Sequence, residues 1–412
     1  MSKKYFYVFG LSLLLLVGLA TSCRSEPAAT TVKPTESKKE GAVAMYSRLF
    51  VDLRQSSLQL LKTQAVGRQA WYAPFKDASV QTIPTLLLVD NNGLTVQYAN
   101  HLQRLSFEGA FGWAKERDGG LDIFGFQNEI FYTGTDDFLH AVNIAGKERF
   151  DEFFIPRAYG RGGLRLVVPL GEDHFLMQTF NRPEEVELGK PPENDNYHLF
   201  IKGPESYKDI DWSVKYEGIA LPGLITADGK KVVVLDQSDR IMVFDIATGK
   251  QLSSIEIKGA GFVRASLDQT NNIIASCWDA EDRKKLCSYT LQGALNWEYP
   301  LGGRDTRVAA QPPALTTTGR ALIIVDSLLI SVADGNKLWE RPIPPAAVQY
   351  VTVLGDNSVL VTAANVLTHF GSEGQEQFLF RLPVNEVITT PPVIDDKGRI
   401  YLGTTKGIYC IN

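Results

Sequence analysis

From about residue 85 to the C-terminus, short aliphatic and β-branched runs alternate with Gly, Asn and Asp turns, and the runs come in threes. One group reads "GLITADG", then "KKVVVLDQ", a turn at 238–239, then "RIMVFDIATGKQL". Later groups read "PALTTTG", "RALIIVD" and "LLISVADGNKLW", then "VTVLGDN", "SVLVTAA" and "VLTHFGSEGQEQF", and last "PPVIDDKG", "RIYLGTT" and "GIYCIN". Aligned on their first turns, the groups fall near Gly93, Asn128, Asp173, Gly229, Asn272, Gly319, Asn357 and Gly398, about 44 residues apart. Runs this short, with turn chemistry at this spacing, predict repeated four-stranded antiparallel units, as in the blades of a β-propeller. The one stretch left open to a helix is 42 to 64.

A second pattern runs through the first: Gly, three residues, then Trp or Phe. It occurs as "GRQAW" (67–71), "GAFGW" (109–113), "GKERF" (146–150), "GALNW" (293–297), "GNKLW" (335–339) and "GQEQF" (374–378), with degraded copies ending at Trp212 and Ser253. Five of the six tryptophans take this position. A bulky side chain on an outer strand would fill the gap that widens with radius, so the motif reads as packing. The eight aromatic strands and eight three-strand groups are offset. "GRQAWYAPF" precedes the first group, and the last group lacks an outer strand. The expected fold is therefore all-β, an eight-bladed propeller over residues 67–412. The N-terminal strand supplies the last blade's outer strand, which removes the open edges. The tether should then leave from that last blade.

The N-terminus has its own logic. Lys3 and Lys4, an apolar run and small residues before Cys23 describe a secretory signal over 1–22. "LATSC" resembles a bacterial lipobox, with Ala20 and Ser22 at the small positions and Cys23 as lipid acceptor. Residues 23–44 are rich in Ser, Thr, Pro, Lys and Glu and read as a flexible tether, followed by an extension over 45–66. Loss of residues 1–22 removes Lys3 and Lys4 and moves the net charge from −5 to −7. A mildly acidic body without a basic stripe argues against nucleic acid as a partner.

"RIMVFDIATGKQL", "GNKLWERPI" and the last group resemble the repeats of quinoprotein-type, PQQ-like β-propellers. Together with Cys23, the chain resembles the lipid-anchored propellers of outer-membrane barrel assembly. That resemblance implies an envelope scaffold, on the periplasmic side of the outer membrane, with protein partners in an assembly complex and membrane attachment through the lipid. Quinoprotein enzymes imply the alternative, a PQQ-type oxidoreductase or small-ligand binder using the central funnel. Their PQQ stacks on a bonded pair of adjacent cysteines, with calcium and an Asp base; here no two cysteines are adjacent. The expectation is no catalytic residue, metal or cofactor.

The remaining chemistry is sparse. His101, His140, His174, His198 and His369 lie in no metal-ligand spacing, and His140 and His369 fall on third strands. The acidic turns at 90–93 and 395–398 lack the alternating carboxylates of a calcium loop, and "GRGG" and "GAG" open no helix. Cys277 and Cys287 fall on neighbouring strands. Pairing symmetric about 281–282 would set them opposite each other, either as a disulfide or as two buried thiols. The connection over 181–196, "NRPEEVELGKPPENDN", is far longer than its counterparts. Arg182, Glu184, Glu185, Glu187 and Asp195 on it are candidate partner-binding residues, because binding concentrates in loops on rigid scaffolds.

Overall fold

The structure, a computed structural model, describes residues 58–59, 61–75, 83–98, 101–116, 122–127, 130–134, 138–154, 164–170, 174–181, 196–202, 210–217, 221–236, 239–259 and 261–412. Among them every regular element is a β-strand. They form eight sheets, seven of four strands and one of five. The first sheet runs from strand Leu86–Asp90 to Phe111–Glu116, and the second from Asp122–Gln127 to Glu148–Phe154. The third runs from Leu164–Pro169 to Ile210–Glu217, the fourth from Leu224–Ile225 to Gln251–Glu256, and the fifth from Arg264–Leu267 to Leu295–Gly302. The sixth runs from Ala314–Leu315 to Asn336–Pro342, and the seventh from Gln349–Leu354 to Glu376–Arg381.

The eighth sheet takes three strands from the C-terminus, Val393–Ile394, Ile400–Gly403 and Gly407–Ile411. Its fourth is the N-terminal strand β2 (Gln69–Pro74), with Gln69 opposite Ile411 and Trp71 opposite Cys410. Arg68 and Asn412 exchange both backbone hydrogen bonds at 2.7 Å, so the last residue of the chain is fully paired.

Among the described residues, apolar side chains are buried between neighbouring sheets. Apolar clusters join the second sheet to the third, and so on in order to the eighth. Leu87, Leu94 and Val96 of the first sheet pack with Tyr401, Ile408 and Cys410 of the eighth. Strands sandwiched in this way need apolar residues on both sides, which explains near-continuous runs such as "KVVVL" and "ALIIV".

The aromatic motif does more than fill a gap. Trp71, Trp113 and Trp212 donate their indole N–H to the carbonyls of Phe107, Ile144 and Ile246, at 2.8, 2.9 and 2.9 Å, and Trp339 donates to Ser372 at 3.2 Å. Each acceptor belongs to the turn of the next sheet. The motif glycine of that turn lies under the ring: a β-carbon on Gly109 would meet Trp71 at 3.0 Å, and one on Gly374 would meet Trp339 at 2.7 Å. Glycine and aromatic of one motif therefore serve two different interfaces. The glycine seats the preceding sheet's ring, and its own ring seats on the following sheet.

Of the stretch 42–64 only residues 58–59 and 61–64 are described, and these form no helix; the rest of it, like the tether, lies outside the described residues. Here β1 (Leu58–Gln59) adds a parallel fifth strand to the inner edge of the seventh sheet, with Leu58 opposite Val353 and Gln59 opposite Leu354. Consequently the chain reaches β2 from the inner edge of the seventh sheet, not directly from the rim of the eighth. The cause is local satisfaction of polar groups. Gln59 accepts from the Ile394 N–H at 3.0 Å and donates to the Pro392 carbonyl at 2.9 Å, capping the inner edge of the eighth sheet as well. Thr63 Oγ1 and the Gln64 N–H then both donate to the Gly398 carbonyl as the segment passes outward.

Candidate docking face

In each sheet the first-to-second and third-to-fourth turns lie at one end, and the second-to-third turns lie at the other, with the connections between sheets. Exposed large hydrophobic side chains occur at both ends, Val66 and Leu295 at the first, but the most exposed of the described residues is at the second. Val384 is 91 % exposed, and Val387, Val348 and Leu328 are also open to solvent. Scattered apolar surface is ordinary. What distinguishes Val384 and Val387 is the rigidity of their support.

They belong to the connection "LPVNEVITT" (382–390) between the seventh and eighth sheets. Its start is tied to the seventh sheet: the Leu382 N–H donates to the Asn365 carbonyl at 2.8 Å, and Asn365 Nδ2 donates back to the Leu382 carbonyl at 2.9 Å. The Glu386 N–H closes a turn onto the Pro383 carbonyl at 3.0 Å, which leaves Val384 and Asn385 at the tip. The end is tied to the eighth sheet, where the Thr389 N–H donates to the Gly403 carbonyl and the Thr405 N–H to the Val387 carbonyl, at 2.8 and 2.9 Å.

Glu386 is the pin. Its side chain turns inward and is only 2 % exposed. Thr404 Oγ1 donates to Oε1 at 2.5 Å and Tyr409 OH donates to Oε2 at 2.9 Å. A buried carboxylate is tolerated when both oxygens are hydrogen-bonded in this way. Burial, and then the hydrogen bond to Glu386, push the Tyr409 hydroxyl well above its ordinary range, and burial with the nearby Glu386 charge raises Tyr72. Both phenols therefore stay neutral donors at physiological pH. The result is a stiff loop with a polar root and an apolar tip. It holds no nucleophile–base pair, and among the described residues no group of three or more His, Cys, Asp and Glu is placed to hold a metal.

The residues singled out from sequence fall as follows. Cys23, Arg182, Glu184, Glu185, Glu187 and Asp195 lie outside the described residues. The strands flanking 182–195 are paired to their ends, with Asn181 opposite Asn196, so that connection leaves the third sheet at the same end as the 382–390 loop. His140 and His369 are buried strand residues. Cys277 and Cys287 are buried on the second and third strands of the fifth sheet, in the apolar interface with the fourth. They are not directly opposite: Cys277 faces Lys285 and Cys287 faces Ala275. The loop between them closes from Asp279 to Arg283, with Asp282 at φ +58, which shifts the symmetry point by one residue. Glu386 and Val384 escaped sequence reasoning. The available signal was an apolar, proline-bearing connection, "LPVNEV", where turns elsewhere are polar.

Comparison with known proteins bears on the fold. The family model described as outer membrane protein assembly factor BamB matches residues 209–373. The crystal structure of BamB from Moraxella catarrhalis superposes with a TM-score of 0.55 at 13 % identity, covering 83 % of this chain and 96 % of that one. The quinohemoprotein alcohol dehydrogenase of Comamonas testosteroni gives 0.60 at 11 %, covering 89 % and 80 %. The computationally designed Ika8 protein gives 0.59 at 11 %, covering 86 % and 99 %. Curated proteins yield no match.

The chain carries a PQQ-like propeller similar to BamB. The BamB-like stretch starts at the outer strand of the third sheet and ends within the seventh. Both the 382–390 loop and the 182–195 connection lie beyond it.

Proposed function

We propose that the chain is a lipid-anchored β-propeller of the bacterial envelope and acts as a non-catalytic docking scaffold in outer-membrane protein assembly. One observation carries this reading: Val384, fully open to solvent, is presented by a loop that Glu386 fixes from beneath. An apolar side chain held in place loses little entropy on binding, and full burial of a valine contributes about 1.5 kcal/mol or more. The BamB resemblance supports envelope assembly as the setting, and the lipobox at Cys23 supports the outer membrane, on its periplasmic side, as the site of anchoring. The strands flanking 182–195 finish at the same end, which makes Arg182, Glu184, Glu185, Glu187 and Asp195 candidate contacts for the same partner.

The test is capture from crosslinked membranes with wild-type protein and with a Val384→Asp/Val387→Asp variant. The reading expects barrel-assembly proteins with wild type and at least a tenfold loss with the variant. Equal recovery would remove the valines from the interface. A thermal shift with added PQQ would favour the funnel alternative, because a ligand specific to the native state must stabilise it.

A further inference from the structure

Cys277 and Cys287 sit on adjacent antiparallel strands of the fifth sheet, Ile273–Trp278 and Lys284–Tyr289. Their register makes them diagonal neighbours: the pairs Cys277–Lys285 and Ala275–Cys287 are next but one along the ladder. Positions two apart on a strand share a face, so both side chains point the same way, toward Val233, Ile241 and Val243 of the fourth sheet. Diagonal neighbours are within side-chain reach, and here the two Sγ atoms lie 2.8 Å apart. They are unbonded thiols in this structure, almost wholly removed from solvent. Closing to the ~2.05 Å of an S–S bond needs roughly 0.8 Å of sulfur movement, which small χ rotations supply.

We propose that Cys277 and Cys287 are a disulfide-forming pair, oxidised during folding by exchange with a disulfide oxidant of the envelope. The inference is independent of the docking role. Either thiol can donate in this contact, so either can begin the exchange before the fourth and fifth sheets close over the pair. The thiolate of one cysteine attacks one sulfur of the oxidant, whose S–S bond breaks and releases the first thiol. The other cysteine, losing its proton, then attacks the protein sulfur of the mixed disulfide and expels the second thiol. The protein loses two hydrogens and gains one S–S bond, and the oxidant gains both hydrogens as two thiols.

Two consequences follow from the location. The bond would close the hairpin whose turn, 279–283, reaches the same end of the propeller as the 382–390 loop. Its burial would shield it, so reductant would act only when the fourth and fifth sheets part.

The experiment uses full-length protein recovered from an oxidising compartment, quenched with N-ethylmaleimide, unfolded and digested with trypsin without reductant. The expected product is peptide 265–283 linked to peptide 286–304, about 2 Da below the sum of the two thiol forms and separated by reductant. Cys410→Ser should retain the linked species and Cys277→Ser should abolish it. Oxidised protein should melt a few degrees above reduced protein, and a Cys277→Ser/Cys287→Ser variant should show no such difference. In native buffer, reduction should be far slower than in denaturant. Maleimide labelling of both cysteines after refolding with oxidised glutathione would overturn the proposal, as would a linked species that survives Cys277→Ser.

Discussion

The ring of Phe378 occupies the place where a β-carbon on Gly67 would stand, 2.9 Å from the ring's Cδ2. Phe378 belongs to the outer strand of the seventh sheet, and Gly67 to the N-terminal segment entering the eighth, 311 residues earlier in the chain. The glycine–aromatic contact made at Gly109, Gly146, Gly249 and Gly374 therefore also joins the N-terminal segment to the seventh sheet.

Gly67→Ala should be costly for two reasons, whereas Gly229→Ala carries only one. Both glycines hold positive φ, +78 and +68, which penalises any side chain by roughly 1 kcal/mol. A β-carbon at 229 meets open space, whereas at 67 it displaces Phe378, adding roughly 1–3 kcal/mol of overpacking. Thermal melts of the two variants should differ accordingly. Equal losses would mean that the Phe378 seat contributes nothing.

Removing residues 67–75 should destabilise far more than removing residues 25–39, because only the first deletion strips a strand from the eighth sheet. The exposed edge would also favour association, visible as a shift in elution volume. Similar melting temperatures for the two deletions would contradict the structural role of β2.

These features were unequally legible. The repeat showed because packing both faces of a sheet imposes apolar runs, turns and a ring at fixed spacing. Gly109 and Trp71 were visible as motif members, but their contact was not, since each pairs with a residue of another repeat. β1 gave no signal: two paired residues have no period, and the Gln59 amide does much of the work. The cysteine register turned on Asp282 adopting positive φ, which a sequence allows but does not demand. Glu386 read as surface because an acid beside proline and asparagine in a connection usually is; only the fold brings Thr404 and Tyr409 to it.

Gln59→Ala should cost about 1–3 kcal/mol, because it leaves the Ile394 N–H at the inner edge of the eighth sheet without its partner and the Pro392 carbonyl with only Thr352 Oγ1, at 3.4 Å. Hydrogen exchange should show faster exchange at Ile394, with little change at the second sheet. Unchanged exchange at Ile394 would show that water replaces Gln59 without penalty.

Stability should fall on mild acidification, in part through His369. Burial lowers its pKa below the ordinary 6.5, with Asp356 only partly opposing, and neither ring nitrogen has a hydrogen-bond partner among the described residues. The unfolded chain therefore binds the proton more readily, and unfolding free energy drops as pH falls through 6.5 toward the folded-state value. His369→Leu, beside Leu360 and Phe378, should flatten that part of the profile without abolishing it, since His101 is also lowered. A profile unchanged by the substitution would remove His369 as a contributor.

The docking claim is tested most directly by a photocrosslinking amino acid placed at Val384 and, separately, at Lys250 on the opposite end of the propeller, in cells that make the full-length chain. The account predicts a strong adduct with a barrel-assembly protein from position 384 and none from 250. Adducts of equal yield from both positions, or an adduct from 250 alone, would contradict it.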